Sequence, residues 1–203
     1  MPGARAYDLM YRYWAPWDRV GVRDDLVALL ATGRVEPETH PRSIDLGCGT
    51  GANVVYLAQR GFQSFGVDFS PVALRKGAER ARKAGVGERC VFARGDLTAD
   101  AIPGVEGPFD LLIDFGTLDD LGRVGRRAMA STIVRLSRPG SLFLLWCFFS
   151  ELADLPKFSV SGPSRLAPGI QPGEALELFG NAFEIEPFSR PSPTTASFLL
   201  RRK

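Results

Sequence analysis

The octapeptide Ile44-Asp45-Leu46-Gly47-Cys48-Gly49-Thr50-Gly51 limits what this chain can fold into more than any other feature. A short apolar run enters three glycines at alternate positions, and a helix-forming stretch, residues 52–60, follows at once. Glycine adopts backbone angles closed to other residues and carries no side chain, so such a turn is tight and admits a ligand against its backbone. Strand, glycine turn and helix in this order open a doubly wound α/β sheet, where ligands sit beyond the carboxyl ends of the strands.

The alternation continues downstream. Residues 62–67 read as a strand. Ser70 is a good N-cap and Pro71 a good first helical residue, so a helix runs from there to about Ala84 and stops at Gly85. Strands follow at 89–94 and 109–115, a mostly helical stretch at 118–137, and a continuous apolar strand at 141–149, as in the buried centre of a parallel sheet. The rhythm breaks over 151–172, which carries Pro156, Pro163, Pro168 and Pro172, before a short helix at 173–179. Two strands, 182–188 and 195–201, close the chain and can pair antiparallel. Two helical stretches over 5–33, the first rich in aromatics, precede the alternation. The pattern implies a doubly wound, Rossmann-like, mainly parallel α/β sheet with helices on both faces.

With 203 residues, 45% hydrophobic and 24% charged, the chain reads as a single domain, 1–203. Within it, residues 1–35 form an N-terminal helical lid and 151–172 a substrate-side loop. Lys+Arg 25 against Asp+Glu 23 builds no one-sided field, which argues against a nucleic-acid partner. The most apolar run, 141–149, is far shorter than the roughly 20 residues that cross a bilayer, so no membrane partner is expected. The first residues lack an apolar leader, and the three cysteines suggest no disulfide framework, so the expected location is cytoplasmic. Cys48, Cys90, Cys147 and the single His40 are too few and too scattered for a zinc set or a histidine-based catalytic triad, so no metal is expected.

The turn leaves two nucleotide classes open. Gly47-x-Gly49-x-x-Ala52 also satisfies a loose dinucleotide fingerprint, and Asp68 at the end of the second strand could hold a ribose in either case. Three features weigh against NAD. Asp45 places negative charge near the first turn, which suits a sulfonium or an amine better than a pyrophosphate. Gly51 stands one position early for the third glycine. The closing strand pair leaves no room for a separate substrate domain.

IDLGCGTG resembles the first motif of the class I S-adenosylmethionine-dependent methyltransferases, and the resemblance extends over most of the chain. It is loosely similar to the thiopurine and tellurite-resistance branch that acts on small molecules. Val67-Asp68-Phe69-Ser70-Pro71, Gly95-Asp96-Leu97, the strand Phe109 to Asp114 and Arg138-Pro139-Gly140 resemble the later motifs. The resemblance implies a seven-stranded sheet whose final strand inserts antiparallel beside strand five. It implies a cofactor, S-adenosyl-L-methionine, held by Asp45, Gly47, Cys48, Gly49, Gly51, Asp68, Phe69, Asp96, Leu97 and Asp114. A carboxylate accepting two hydroxyl protons is a strong ribose clamp, which suits Asp68, and Asp96 can accept from an exocyclic amine.

The implied reaction is in-line transfer of a methyl group to a small, aromatic or apolar acceptor. Proximity and orientation alone can supply roughly 7–11 kcal/mol. Asp119 and Asp120, in DFGTLDDL after the fourth strand, are the candidate catalytic acids, although both also read as first-turn acids of the following helix. Tyr11, Trp14, Trp17, Phe115 and Cys147 are the candidate acceptor contacts. The expected partner is that small molecule, for a chain acting as monomer or homodimer. Two other readings stand: a NAD-dependent oxidoreductase, and a catalytically silent S-adenosylmethionine-binding protein.

Overall fold

The structure, a computed structural model, describes residues 4–13, 15–149 and 169–203. Helix α1 (Ala4–Tyr13), a short 3-10 helix (Pro16–Val20) and α2 (Asp24–Ala31) precede strand β1 (Arg42–Leu46). The alternation then runs α3 (Ala52–Ala58), β2 (Gln63–Asp68), α4 (Pro71–Lys83), β3 (Cys90–Arg94), β4 (Phe109–Phe115), α5 (Arg123–Leu136) and β5 (Ser137–Phe148). Helix α6 (Glu174–Phe179) and strands β6 (Phe183–Ser192) and β7 (Thr195–Arg202) complete it.

Among the described residues the strands form one sheet in the order β3-β2-β1-β4-β5-β7-β6. The first five run parallel, and β7 lies antiparallel between β5 and β6. The expected single antiparallel strand is therefore present, inserted where the resemblance implied.

The strands are apolar without interruption because both faces are covered. Along β4 and β5, Leu111, Ile113, Leu142 and Leu144 join Leu26 and Leu29 of α2 and Leu57 of α3 in one buried cluster. Their neighbours Leu112, Phe143 and Leu145 point the other way, onto Met129 and Ile133 of α5 and Phe179 of α6. Burying each such side chain contributes about 1.5–3 kcal/mol. Period-two alternation thus feeds two cores, as a parallel sheet between helical layers requires.

Strand β6 runs on to Ser192, past the expected end at Phe188, and two boundaries nearer the cavity also move. The helix anticipated from Leu118 begins at Arg123, with Gly122 as its N-cap. Residues 116–122 instead form a turn, because the Asp114 carboxylate accepts the N–H groups of Thr117 and Leu118, each at 2.9 Å. Asp119 and Asp120 are therefore not first-turn acids. Strand β5 starts at Ser137 rather than Ser141, and its pairing with β4 shifts register between Phe109 and Leu111. No helix among the described residues is long and apolar enough to cross a membrane.

Candidate active site

Strand order reverses between β1 and β4, and the carboxyl ends there open onto a cavity of about 830 Å3. Its first wall is the turn after β1. Gly47 and Gly49 hold φ of 84° and 52°, a region that favours glycine. Space is equally decisive. A Cβ on Gly47 would fall 1.9 Å from Thr117 Oγ1, one on Gly49 2.8 Å from the Tyr11 hydroxyl, and one on Gly51 2.6 Å from Phe92. The first two glycines line the cavity; Gly51 does not, and serves the packing of α3 against Phe92.

Asp45 and Asp68 stand at the ends of β1 and β2 and both line the cavity. Asp45 accepts from Asn53 Nδ2 at 3.2 Å, and burial pushes its carboxyl up to about 7. Asp68 accepts the N–H of Gly49 at 2.9 Å on one oxygen and that of Ser70 at 2.8 Å on the other. Burial raises its proton affinity as well, opposed by those two bonds. Each oxygen keeps a second lone pair. Asp68 does not cap α4; Ser70 Oγ does, accepting from Ala73 N at 3.1 Å. Phe69, Asp96 and Leu97 extend the same wall. One Asp96 oxygen closes a turn on Thr98, accepting its N–H at 2.8 Å and its hydroxyl at 2.7 Å.

The N-terminal elements roof this end. Asp8 of α1 accepts from the Ser70 hydroxyl at 2.5 Å, and Lys76 of α4 donates to the Tyr11 carbonyl. The Tyr7 ring meets Phe69 edge-on at 5.1 Å while its hydroxyl donates to Asp120 Oδ2 at 3.3 Å. Trp17 Nε1 donates to the Tyr11 hydroxyl at 3.2 Å, and Thr50 donates to Asp18. Tyr7, Tyr11 and Trp17 all line the cavity. Trp14 and residues 151–168 lie outside the described residues.

Arg23 opens α2 between the two ends. Its backbone N–H reaches Asn53 Oδ1 at 3.3 Å, and its guanidinium lies 5.8 Å from the Phe115 ring and 5.4 Å from Trp146. Among the described residues no carboxylate forms an ion pair with it. Desolvation lowers its proton affinity, while Asp45 and Asp25 work the other way.

The far end is aromatic. Phe115 and Trp146 are register partners at the ends of β4 and β5, and Phe148 continues the same face. Cys147 points to the opposite face, fully buried, with its thiol 3.7 Å from the Ala196 carbonyl. It is not a cavity residue. Asp120 lines the cavity, and burial raises its proton affinity. Asp119 and Asp114 do not line it. Asp119 accepts the Phe148 N–H at 2.8 Å, its other oxygen is buried with no hydrogen-bond partner among the described residues, and burial pushes it up to about 8. Arg126, ion-paired with Glu174 at 2.8 Å, donates to the Asp119 carbonyl at 2.8 Å and secures that turn.

Sequence reasoning missed Arg23, Asn53, Trp146 and Phe148. Period-two alternation along β5 could have traded Cys147 for its two neighbours. Nothing local marks Arg23 or Asn53.

A doubly wound sheet with this inserted strand, and a cavity at the reversal walled by glycine turn and paired acids, is a Rossmann-like α/β architecture. Residues 44–140 match the family model described as a methyltransferase domain. The chain is 27% identical over 148 residues to 2-heptyl-1-hydroxyquinolin-4(1H)-one methyltransferase of Mycobacteroides abscessus, covering 73% of this chain and 61% of that protein. It is 32% identical over 132 residues to magnesium-protoporphyrin O-methyltransferase of Rhodobacter capsulatus, covering 61% of this chain and 56% of that protein. It thus spans under two thirds of either relative. Among solved structures it matches a TehB-like S-adenosylmethionine-dependent methyltransferase from Corynebacterium glutamicum with a TM-score of 0.67 at 18% identity, covering 98% and 100% of the two chains. It matches magnesium protoporphyrin IX methyltransferase from Synechocystis, solved with S-adenosylhomocysteine, at 0.69 and 23%, covering 89% and 81%. Residues 44–140 are thus similar to a methyltransferase domain, and the chain shares its fold with these solved methyltransferases.

Proposed function

We propose that the protein transfers a methyl group from S-adenosylmethionine to a small molecule with a flat, apolar ring. The observation that carries this reading is one cavity with two unlike ends, acids and glycine turn at one and a sleeve of aromatic rings at the other. The residues fit the cofactor. Asp68 has lone pairs for a ribose diol, Asp96 has a free carboxylate oxygen for an exocyclic amine, and Phe69 and Leu97 supply apolar walls for a purine. Asp45 and Arg23, opposite charges at one place, suit the zwitterionic amino-acid end. The cofactor brings an electrophilic methyl group on a sulfonium.

The chain's own part is to hold the acceptor and to exclude water. Phe115 and Trp146 would pack a planar ring, and α1 with the 3-10 helix would cover it. Asp120 is the acid in place to accept a proton from the acceptor, because burial has already raised its proton affinity. The ring preference is supported by the relatives named above, whose names specify a hydroxyquinolinone and a magnesium-protoporphyrin.

The test is calorimetry followed by turnover. S-adenosylhomocysteine should bind at micromolar concentration and NAD should not, and labelled methyl should pass to an aromatic hydroxyl or amine in a panel of planar acceptors. NAD binding without S-adenosylhomocysteine binding overturns the reading. Tight cofactor binding with no transfer to any acceptor class would leave a silent binding protein.

A further inference from the structure

We propose that Tyr7 is the positioning residue for Asp120: its hydroxyl, carried by α1, holds one oxygen of that carboxylate and leaves the other to take the acceptor's proton. This rests on the reading of Asp120 as proton acceptor given above, and adds what sets that acid in place.

Both residues line the cavity, and the Tyr7 hydroxyl donates to Asp120 Oδ2 at 3.3 Å across 113 residues of chain. The backbone around Asp120 is tied independently. Asp114 takes the N–H groups of Thr117 and Leu118, the Leu121 N–H donates to the Leu118 carbonyl at 3.2 Å, and Arg126 donates to the Asp119 carbonyl at 2.8 Å. None of these bonds involves the Asp120 side chain. Among the described residues its carboxylate has one hydrogen-bond partner, the Tyr7 hydroxyl. Tyr7 is itself held. Its ring packs 5.1 Å from Phe69 and 5.8 Å from Trp17, and its neighbour Asp8 accepts from the hydroxyl of Ser70, the N-cap of α4. A hydroxyl fixed on one wall thus orients a carboxylate on another.

The bond also bears on the proton. Burial favours the protonated carboxyl, a form in which Asp120 could accept nothing. A donor on Oδ2 favours the ionised form instead, and so, through space, does Arg126. The balance is a carboxylate more basic than one in water, which burial alone would drive further toward its protonated form. When the acceptor's heteroatom takes the methyl group, its proton passes to Oδ1, and the electron pair of the broken carbon–sulfur bond stays with sulfur.

The experiment follows aspartate carboxyl carbons by 13C NMR against pH in the ligand-free protein, with Asp120→Asn to assign the Asp120 signal. In Tyr7→Phe, which keeps the ring on Phe69 and Trp17, the Asp120 midpoint should rise by roughly one pH unit or more. That is the tenfold or greater gain in proton affinity expected when one bond to a charged group is lost. Asp45, which bonds to Asn53 and not to Tyr7, should titrate where it does in the parent. An unchanged Asp120 midpoint overturns the proposal, and so does an equal rise at Asp45, which would mean a general rearrangement of the cavity. Methyl transfer to 2-naphthol tests the reading beneath it. Asp120→Asn should slow transfer by about a hundredfold or more, and in Tyr7→Phe the acid limb of the pH profile should move up with the NMR midpoint. Full transfer by Asp120→Asn overturns Asp120 as proton acceptor, whatever Tyr7 does to its titration. No transfer by the parent counts against the ring-acceptor reading and leaves the titration to decide Tyr7.

Discussion

At one end of the cavity the atoms offered to a ligand are backbone groups and acids fastened by backbone, at 45–53, 68–69 and 95–98. At the other end they are side chains, three of them aromatic rings, from 20–23, 115–121 and 146–148. The first set follows directly after three parallel strands, so the sheet alone positions it. The second joins an N-terminal segment to strands more than ninety residues away. The difference suits two ligands of different constancy. On the proposed function, an unvarying cofactor would be matched by atoms with little rotational freedom, whereas an acceptor site could be retuned by exchanging side chains on the same frame.

The harshest way to break the cofactor end is Gly49→Val. The new Cβ would meet the Tyr11 hydroxyl at 2.8 Å, and φ of 52° is strained for a branched residue. S-adenosylhomocysteine binding should fall below calorimetric detection while circular dichroism still reports an α/β fold. Retained binding would mean that the turn tolerates displacement of α1. Next comes Asp68→Ala. Losing a carboxylate that accepts two ribose hydroxyls costs about 2–4 kcal/mol, so affinity should drop roughly 30- to 1000-fold. A loss under about threefold would restrict Asp68 to its bonds with Gly49 and Ser70.

Arg23 tests the boundary between the ends. In Arg23→Ala, S-adenosylhomocysteine should bind roughly ten- to a hundredfold more weakly, the worth of charge-assisted bonds to a carboxylate. 5′-Methylthioadenosine, which lacks the amino-acid end, should bind as before within about twofold. Equal weakening of both ligands would mean that Arg23 acts only through its stacking on Phe115 and Trp146.

How much of this could be read from the sequence follows the same divide. The sheet, its inserted strand and most of the glycine-and-acid wall of the cavity were legible, because glycines and acids announce themselves immediately after apolar runs. Asp114 was misread as a ligand since an acid after a strand looks alike whether it faces a cavity or ties a turn; here it takes the N–H groups of Thr117 and Leu118. Gly51 was read the same way, but it makes room for Phe92. The aromatic end was legible only in kind. Which face of β5 meets the cavity depends on strand register, and choosing Cys147 put the site one residue off. Arg23 owes its position to the docking of α2 on β4 and β5, which no local pattern encodes.

The smallest effect on ligand binding is expected behind the aromatic wall, at Asp119, which the sequence offered as a catalytic acid and whose consequence is for stability. Its carboxyl is buried and raised to about 8, against an ordinary value near 4 in the unfolded chain. Between those values the folded protein holds a proton that the unfolded chain has released, so stability falls as pH rises from about 4 to about 8 and then levels. The slope is at most about 1.4 kcal/mol per pH unit for one such group. Asp45 and Asp114, each raised to about 7, add to the slope over the lower part of that window. Asparagine at 119 keeps a carbonyl for the Phe148 N–H. Its amide nitrogen takes the place of the protonated oxygen, which faces no hydrogen-bond acceptor among the described residues. Asp119→Asn should therefore match the parent near pH 5 and exceed it in urea midpoint at pH 8.5. Parallel curves across that range would mean that Asp119 is ionised in the folded protein, and would return it to the candidates for proton transfer at the acceptor end.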